Sequence, residues 1–143
     1  MTRIAQCHCG QVTITCEGEP DPVVMCSCRL CQRRTGAPFQ IGAYFLAENV
    51  RIEGETRTFH SIRDSGLDGP VNLCPNCGTS IWWEGFPGKI GVAGGCFADP
   101  DFPQPTVSVY ERSKHHWVYV PEGIQRFEQM PTAEWLEAEQ SGN

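Results

Sequence analysis

Short apolar stretches, rich in β-branched or aromatic residues and bounded by turn residues, recur along the chain, among them Gln11–Glu17, in which apolar and polar residues alternate. Gln11–Glu17 (QVTITCE) is typical of a half-buried strand, because successive side chains of a strand point to opposite faces. Strands are predicted at Gln11–Glu17, Gln40–Leu46, Asn49–Glu53, Arg57–Ile62, Val71–Leu73, Ser80–Glu84, Lys89–Gly94, Val107–Tyr110 and Trp117–Val120. Many short strands at such spacing indicate an all-β, sandwich-like fold.

Two stretches are predicted to be helical instead. One is a turn at Ser27–Arg34, and the other is a tail at Thr132–Gln140, for which Thr132 is a candidate N-cap. Fifteen Gly and eleven Pro favour turns over long helices. No repeat or linker divides the chain, so we expect one domain over residues 1–143, with a core at about 4–131 and a tail at 132–143.

The charge of the chain excludes some partners. Eleven basic and seventeen acidic residues give a net charge of −6, which argues against nucleic acid, whose binding needs clustered positive charge. No window approaches the ~18 apolar residues of a membrane span, and the polar start Met1–Gln6 does not resemble a signal peptide. The expected location is therefore the cytoplasm, where thiols stay reduced and grouped cysteines usually bind metals.

Seven of the nine cysteines fall into three groups. The groups are C-H-C (Cys7, Cys9), C-S-C-R-L-C (Cys26, Cys28, Cys31) and C-P-N-C (Cys74, Cys77), while Cys16 and Cys96 stand alone. The first and third groups are both pairs, and a glycine follows each of them. Two such pairs supply the four tetrahedral sulfur ligands that zinc prefers, so we predict one zinc held between the N-terminus and the middle of the chain.

The middle group offers three thiolates on one local turn. Structural zinc sites usually have four protein ligands, whereas catalytic sites keep three and leave one position open. The sequence therefore favours an open or exchangeable second zinc, although Cys96, Cys16 or a histidine is an alternative fourth ligand. Three thiolates make zinc a poor acid for activating water but suit the binding of a further thiol.

Two other zinc or cysteine chemistries do not match the chain. Nucleobase deaminases carry H-x-E and then P-C-x-x-C, whereas Leu73, not Pro, precedes Cys74, and neither His8 nor His60 begins an H-x-E motif. A thioredoxin-like redox pair at Cys74 is also disfavoured, because no βαβ pattern surrounds it.

These cysteine groups, in this order, resemble the glutathione-dependent formaldehyde-activating family, also called the GFA/CENP-V family. The matching stretches are CHCGQVTITCEGEP, CSCRLCQRRTGAP, LCPNCGTSIWW, VAGGCFADP and HHWVYVPEGIQRFEQMP, which together span nearly the whole chain. One departure is Cys96, since the family usually has a small hydroxyl residue there, and another is Ala98, where the family often has an acid.

The resemblance implies an Mss4-like β fold with two zinc ions. Cys7, Cys9, Cys74 and Cys77 would hold a structural ion, and Cys26, Cys28 and Cys31 a catalytic ion. The implied activity is that of a carbon–sulfur lyase, the condensation of formaldehyde with glutathione to S-(hydroxymethyl)glutathione. Small aldehydes and glutathione are thus the expected partners. The alternative is a zinc-stabilised protein-binding module without turnover.

Several other polar residues are candidates for the site. Arg29, Arg33 and Arg34 crowd the three-cysteine turn and could bind the carboxylates of glutathione, or could be solvated or neutralise the thiolates. Lys114–His116 is interpreted as a polar turn before a strand, and His60 as a strand residue without metal.

Overall fold

The computed structural model describes residues 1–62 and 69–130, which form eleven β-strands and one α-helix. The strands are β1 (Thr2–Gln6), β2 (Thr13–Glu17), β3 (Val23–Cys26), β4 (Gln40–Leu46), β5 (Val50–Glu53), β6 (Arg57–Phe59), β7 (Val71–Leu73), β8 (Ser80–Glu84), β9 (Lys89–Ala93), β10 (Val107–Val109) and β11 (Gln125–Arg126). The helix is α1 (Arg29–Thr35), and 3₁₀ turns occur at Ala47–Asn49, Gly94–Phe97 and Glu111–Ser113. The predicted all-β fold with short helical turns is confirmed.

The chain divides into two compact units, each made of two separated stretches. Unit 1 comprises Met1–Asp21 and Ala43–Phe102, and unit 2 comprises Pro22–Gly42 and Pro103–Asn143. The single domain expected over residues 1–143 stays a prediction, and the predicted helix Thr132–Gln140 lies outside the described residues. In the part of the chain that is described, no helix is long and apolar enough to cross a membrane.

Unit 1 contains an antiparallel sheet in the order β1-β2-β5 and a run of strands in the order β4-β9-β8-β7-β6. The alternation in β2 buries Ile14 and Cys16 and leaves Glu17 exposed. The buried core of unit 1 comprises Ala5, Cys7, Val12, Ile14, Cys16, Ala43, Phe45, Cys74, Ile81, Val92 and Phe97. Two of the grouped cysteines, Cys7 and Cys74, are therefore part of this core.

The adjacent tryptophans of β8 lie on opposite faces of the strand, as the period of two requires. Trp82 packs against the main core of unit 1, whereas Trp83 packs with Val71, Ala93 and Tyr44. The Trp83 indole N–H donates a hydrogen bond to the Tyr44 hydroxyl at 2.9 Å. Each side of β8 thus contacts a separate apolar cluster.

Unit 2 contains β11, β10 and β3 in that order, together with residues 40–42 of β4, and β10 is parallel to both β3 and β11. Val23 and Met25 of β3 are almost fully buried, and Val24 is 8% exposed, as expected for parallel strands covered on both faces. A hydrophobic cluster of unit 2 comprises Met25, Val118 and Val120, with Phe39, Ile41 and Ile124 packed against them.

Most predicted strands are confirmed, three of them with the same bounds, namely Gln40–Leu46, Val71–Leu73 and Ser80–Glu84. The predicted strand Trp117–Val120 is wrong. Its alternation of burial is present, with Val118 and Val120 buried and Trp117 and Tyr119 more than 70% exposed, but the segment is a turn followed by irregular backbone. Alternation reports which side chains are buried, whereas a strand also needs a paired backbone.

Candidate metal centres

Four cysteines of unit 1 come together from the two loops that follow β1 and β7. Cys7 and Cys9 follow β1, Cys74 and Cys77 follow β7, and their sulfurs all lie within 4.8 Å of one another. Cys9 Sγ lies 3.7 Å from Cys7 Sγ and 3.7 Å from Cys74 Sγ. The predicted convergence of the two pairs is therefore present.

These separations can be compared with those of a tetrahedral zinc site. Metal–sulfur bonds of about 2.3 Å in a tetrahedron place neighbouring sulfurs about 3.8 Å apart. The two measured distances agree with that value. Because zinc accepts four thiolates in this geometry, the donor set and its spacing fit a zinc site.

Tight turns create this arrangement. Gly10 and Gly78 adopt left-handed backbone with φ of 83° and 82°, a conformation that is unstrained only for glycine. In each turn the glycine N–H donates to the carbonyl of the first cysteine of its pair, Cys7 or Cys74. The glycine after each pair thus reverses the chain so that both sulfurs of a pair face the same side.

Thr79 joins the two loops and is a residue that sequence reasoning missed. Its hydroxyl accepts a hydrogen bond from the His8 backbone N–H at 3.1 Å and lies 3.3 Å from Cys77 Sγ. Its hydroxyl and backbone hydrogen bonds lower the pKa of Cys77 to about 5. The Asn76 side chain, followed by the Gln11 backbone, lowers the pKa of Cys9. Both effects favour the thiolate, the form that binds metal.

The second group lies in unit 2 at the junction of β3 and α1. Cys26 ends β3, Cys28 is the N-cap of α1, and Cys31 lies in its first turn, with all three sulfurs within 4.8 Å of one another. The Cys31 N–H donates to Cys28 Sγ at 3.3 Å. Hydrogen bonds from the Cys26 and Cys31 thiols, in that order, lower the pKa of Cys28 to about 2. The helix therefore begins on a sulfur that is itself a candidate ligand.

A polar clamp holds the backbone between Cys26 and Cys28. The carbonyl of the buried Ser27 accepts hydrogen bonds from Gln32 Nε2 at 2.9 Å and from Ser113 Oγ at 2.8 Å. Gln32 Nε2 also donates to the Ser113 carbonyl at 2.9 Å. We define Ser27, Gln32 and Ser113 as the polar clamp. Its contacts fix the C-S-C turn against a segment more than eighty residues away in sequence.

The three arginines predicted at this turn occupy different environments. Arg29 and Arg33 are exposed on α1. Arg34 is half-buried and donates through Nη2 to Cys31 Sγ at 3.7 Å and to the side-chain oxygen of Gln40. Of these three arginines, which all belong to the described part of the chain, Arg34 contacts a sulfur of the group.

The single cysteines, considered from the sequence as fourth ligands of the second site, both belong to unit 1. Cys16 is fully buried in β2, and burial raises the pKa of its thiol to about 12. Cys96 packs against the unit 1 core, where burial, and then the charges of Cys7 and Cys77, raise its pKa to about 11. Among residues 1–62 and 69–130, the second group has three members and includes neither cysteine.

The remaining polar candidates lie on the surface. His60 is exposed directly after β6. His115 and His116 are exposed in a turn, as predicted for Lys114–His116, and the Lys114 ammonium donates to the Val118 carbonyl at 3.2 Å. The strand expected after this turn is the one that the structure lacks.

A mostly β protein with two cysteine clusters of this kind is a candidate metalloprotein, with zinc as the metal that the four-sulfur geometry fits. The family model described as "Glutathione-dependent formaldehyde-activating enzyme" matches residues 2–113. This chain belongs to that family.

The chain was also compared with solved structures and with curated protein sequences. A crystal structure of a Rhodobacter sphaeroides protein aligns with 87% of this chain and 98% of its own, at 18% sequence identity and a TM-score of 0.48. No curated protein sequence matches the chain significantly.

Proposed function

We propose that this protein is a zinc-dependent carbon–sulfur lyase that acts on adducts of a thiol such as glutathione with small aldehydes, in the manner of an S-(hydroxymethyl)glutathione synthase. The observation that carries the proposal is the three-sulfur group of Cys26, Cys28 and Cys31. Three ligands from one turn leave one tetrahedral position for a substrate, which is the arrangement of catalytic zinc sites. Membership of the family supports the same reaction class.

The two cysteine groups have different proposed roles. Cys7, Cys9, Cys74 and Cys77 would hold a structural zinc, because four protein sulfurs complete the coordination of the ion. Cys26, Cys28 and Cys31 would hold the second zinc. When bound there, zinc supplies positive charge that favours the thiolate form of a substrate thiol and holds its sulfur in one orientation.

The proposed reaction is balanced without an oxidant or reductant. The substrate thiol loses its proton, its sulfur forms a bond to the aldehyde carbon, and the carbonyl oxygen takes up a proton. The reverse reaction breaks the same carbon–sulfur bond. Three cysteine thiolates suit this chemistry better than hydrolysis, because their strong electron donation makes a metal less able to acidify water.

Exposed arginines are available for the rest of a glutathione-like substrate. Arg29 and Arg33 lie on the helix that carries Cys31, and both are exposed. Guanidinium groups bind carboxylates through paired hydrogen bonds, and glutathione has two carboxylates. We propose Arg29 and Arg33 as substrate-binding residues, whereas Arg34 already contacts Cys31. The cytoplasm, which maintains reduced glutathione, is the proposed location.

Metal content and thiol binding test this function together. Reduced protein purified without chelators is expected to contain two zinc ions per chain by elemental analysis. Glutathione should bind with a change in zinc-edge absorption, while S-methylglutathione, which cannot form a thiolate, should bind much more weakly in calorimetry. Cys28→Ser should abolish the spectral change, whereas Cys16→Ser, which alters a cysteine outside both groups, should not.

Two results would count against the enzyme. If millimolar glutathione leaves zinc coordination unchanged, the thiol-dependent reaction fails, and the zinc-stabilised binding module becomes the better description. If the protein carries one zinc or less per chain, the second site itself is wrong.

A further inference from the structure

We propose that Arg34 is a positioning residue of the three-cysteine site, which donates a charged hydrogen bond to the Cys31 sulfur, and that Gln40 holds the guanidinium in place. The inference rests on the proposed function, because it assumes that Cys31 binds a metal. It assigns Arg34 to the ligand rather than to a substrate carboxylate.

The local geometry supports this assignment. Arg34 and Cys31 are three residues apart on α1, so their side chains lie on the same side of the helix. Arg34 Nη2 is 3.7 Å from Cys31 Sγ and also donates to the Gln40 side-chain oxygen. Gln40 is 6% exposed at the start of β4. A buried amide therefore fixes the direction from which the guanidinium approaches the sulfur.

The negative charge of the three-cysteine site explains how the contact between Arg34 and Cys31 would support it. Three thiolates outweigh one Zn²⁺ by a single negative charge, and a substrate thiolate adds another. A guanidinium on the ligand sulfur offsets part of that excess, and a hydrogen bond to a metal ligand both orients it and adjusts its donor strength. Arg34 can thus support binding of an anionic thiol without touching it.

Its neighbour on the helix provides a matched control. Arg33 carries the same charge, lies one residue away and is exposed. Arg33→Met removes the same net charge as Arg34→Met but leaves the contact with Cys31 intact. A difference between the two variants therefore reports the hydrogen bond rather than the overall charge of the chain.

The test uses cadmium-113 as the metal and nuclear magnetic resonance as the readout, with no thiol substrate present. The two cysteine groups are expected to give separate resonances, so that the four-cysteine group serves as an internal reference. Arg34→Met should move only the resonance of the three-cysteine site and weaken its cadmium affinity about tenfold in chelator competition, the usual effect of losing a partner of a metal ligand. Arg34→Lys, which keeps a cationic donor, should recover part of both changes.

Arg33→Met should match the wild type in both measurements. Gln40→Met, which removes the anchor but keeps Arg34, should shift the same resonance by less, and it decides the matter if Arg34→Met does not fold. The proposal is overturned if Arg34→Met and Gln40→Met both leave the resonance and the affinity of the three-cysteine site unchanged. Absence of that resonance in the wild type would instead overturn the proposed function, since the metal site itself would be missing.

Discussion

The two cysteine groups have similar chemistry but are assembled in opposite ways. Cys9 and Cys74, whose sulfurs are 3.7 Å apart, are separated by 65 positions in the sequence, so only the folding of unit 1 brings them together. Cys26, Cys28 and Cys31 lie within one turn that ends a strand and begins a helix. The first group is therefore coupled to the core of its unit, whereas the second is built within one local turn.

The surroundings of the groups differ in the same sense. Cys7 and Cys74 are members of the unit 1 core, and the Thr79 hydroxyl links the two cysteine loops. The second group is half-buried and is held by the polar clamp and by Arg34. Hydrogen bonds from polar side chains therefore hold the second group in place, whereas packing in the apolar core holds the first.

The largest expected effect distinguishes the two groups by stability. Cys74→Ser should cause gross loss of folded structure, because structural zinc contributes on the order of 10 kcal/mol to the folding of small zinc domains. Cys28→Ser should leave a largely folded protein with a lower zinc content. Thermal melts followed by circular dichroism, together with elemental analysis, measure both.

Cys16→Ala controls for the loss of a buried thiol without loss of a ligand. Cys16 is a fully buried member of the same core, and its truncation should cost only about 1 kcal/mol. Equal collapse of Cys74→Ser and Cys28→Ser would contradict the separation of a structural from a local site.

A smaller effect is expected at the polar clamp. Gln32→Leu removes the donor to the Ser27 and Ser113 carbonyls, although the Ser27 carbonyl keeps the hydrogen bond from Ser113 Oγ. Losing a hydrogen bond of this kind costs about 0.5–1.5 kcal/mol. We therefore expect a lower melting temperature and faster zinc loss from the three-cysteine site. Arg33→Leu, an exposed change on the same helix, should stay within about 0.5 kcal/mol of the wild type. Identical behaviour of the two variants would show that the clamp does not support the site.

The smallest expected effect concerns an ion pair in each unit. Arg126 donates to both carboxylate oxygens of Glu111, at 2.6–3.1 Å, and the Glu111 side chain is 6% exposed. In unit 1, Arg51 and Glu53 pair at 3.6 Å with both side chains at least 60% exposed. Glu111→Gln should therefore lower stability by about 1 kcal/mol near neutral pH, and Glu53→Gln by almost nothing.

The Glu111 effect has a defined pH dependence. The hydrogen bonds from Arg126 lower the pKa of Glu111 in the folded state, so its contribution is complete above the unfolded pKa of about 4.3 and is lost as pH falls through the folded value. The difference in melting temperature between wild type and Glu111→Gln should shrink over that acidic range. A difference that is constant with pH would show that the carboxylate charge is not the cause.

Strand prediction succeeded where alternation and backbone pairing coincide, and failed where they separate. Asn49–Glu53 (NVRIE) alternates in sequence and forms β5, Val50–Glu53. Three strands were missed: β1, where only Ala5 is buried, the continuous apolar run of β3, and the two-residue β11. None of these shows alternating apolar and polar residues in its sequence, so the pattern carries no signal for them.

The sequence by itself determined which cysteines are candidate metal ligands in this protein. The C-x-C and C-x-x-C spacings and the glycines behind them are local properties, and local geometry decides which sulfurs share a turn. It also determined the fold class, because short alternating segments can bury a face only by pairing in sheets.

Only the tertiary structure decided which distant groups meet. The parallel pairing of β3 with β10, in which Val24 lies opposite Val107, and the contact of Ser113 with Ser27 join segments more than eighty residues apart. It also separated Arg34, at the Cys31 sulfur, from the exposed Arg29 and Arg33. The physical reason is that the partner of a side chain depends on which surface the fold brings against it. Arg29, Arg33 and Arg34 lie within six residues of one another, and their local sequence does not indicate which of them faces the Cys31 sulfur.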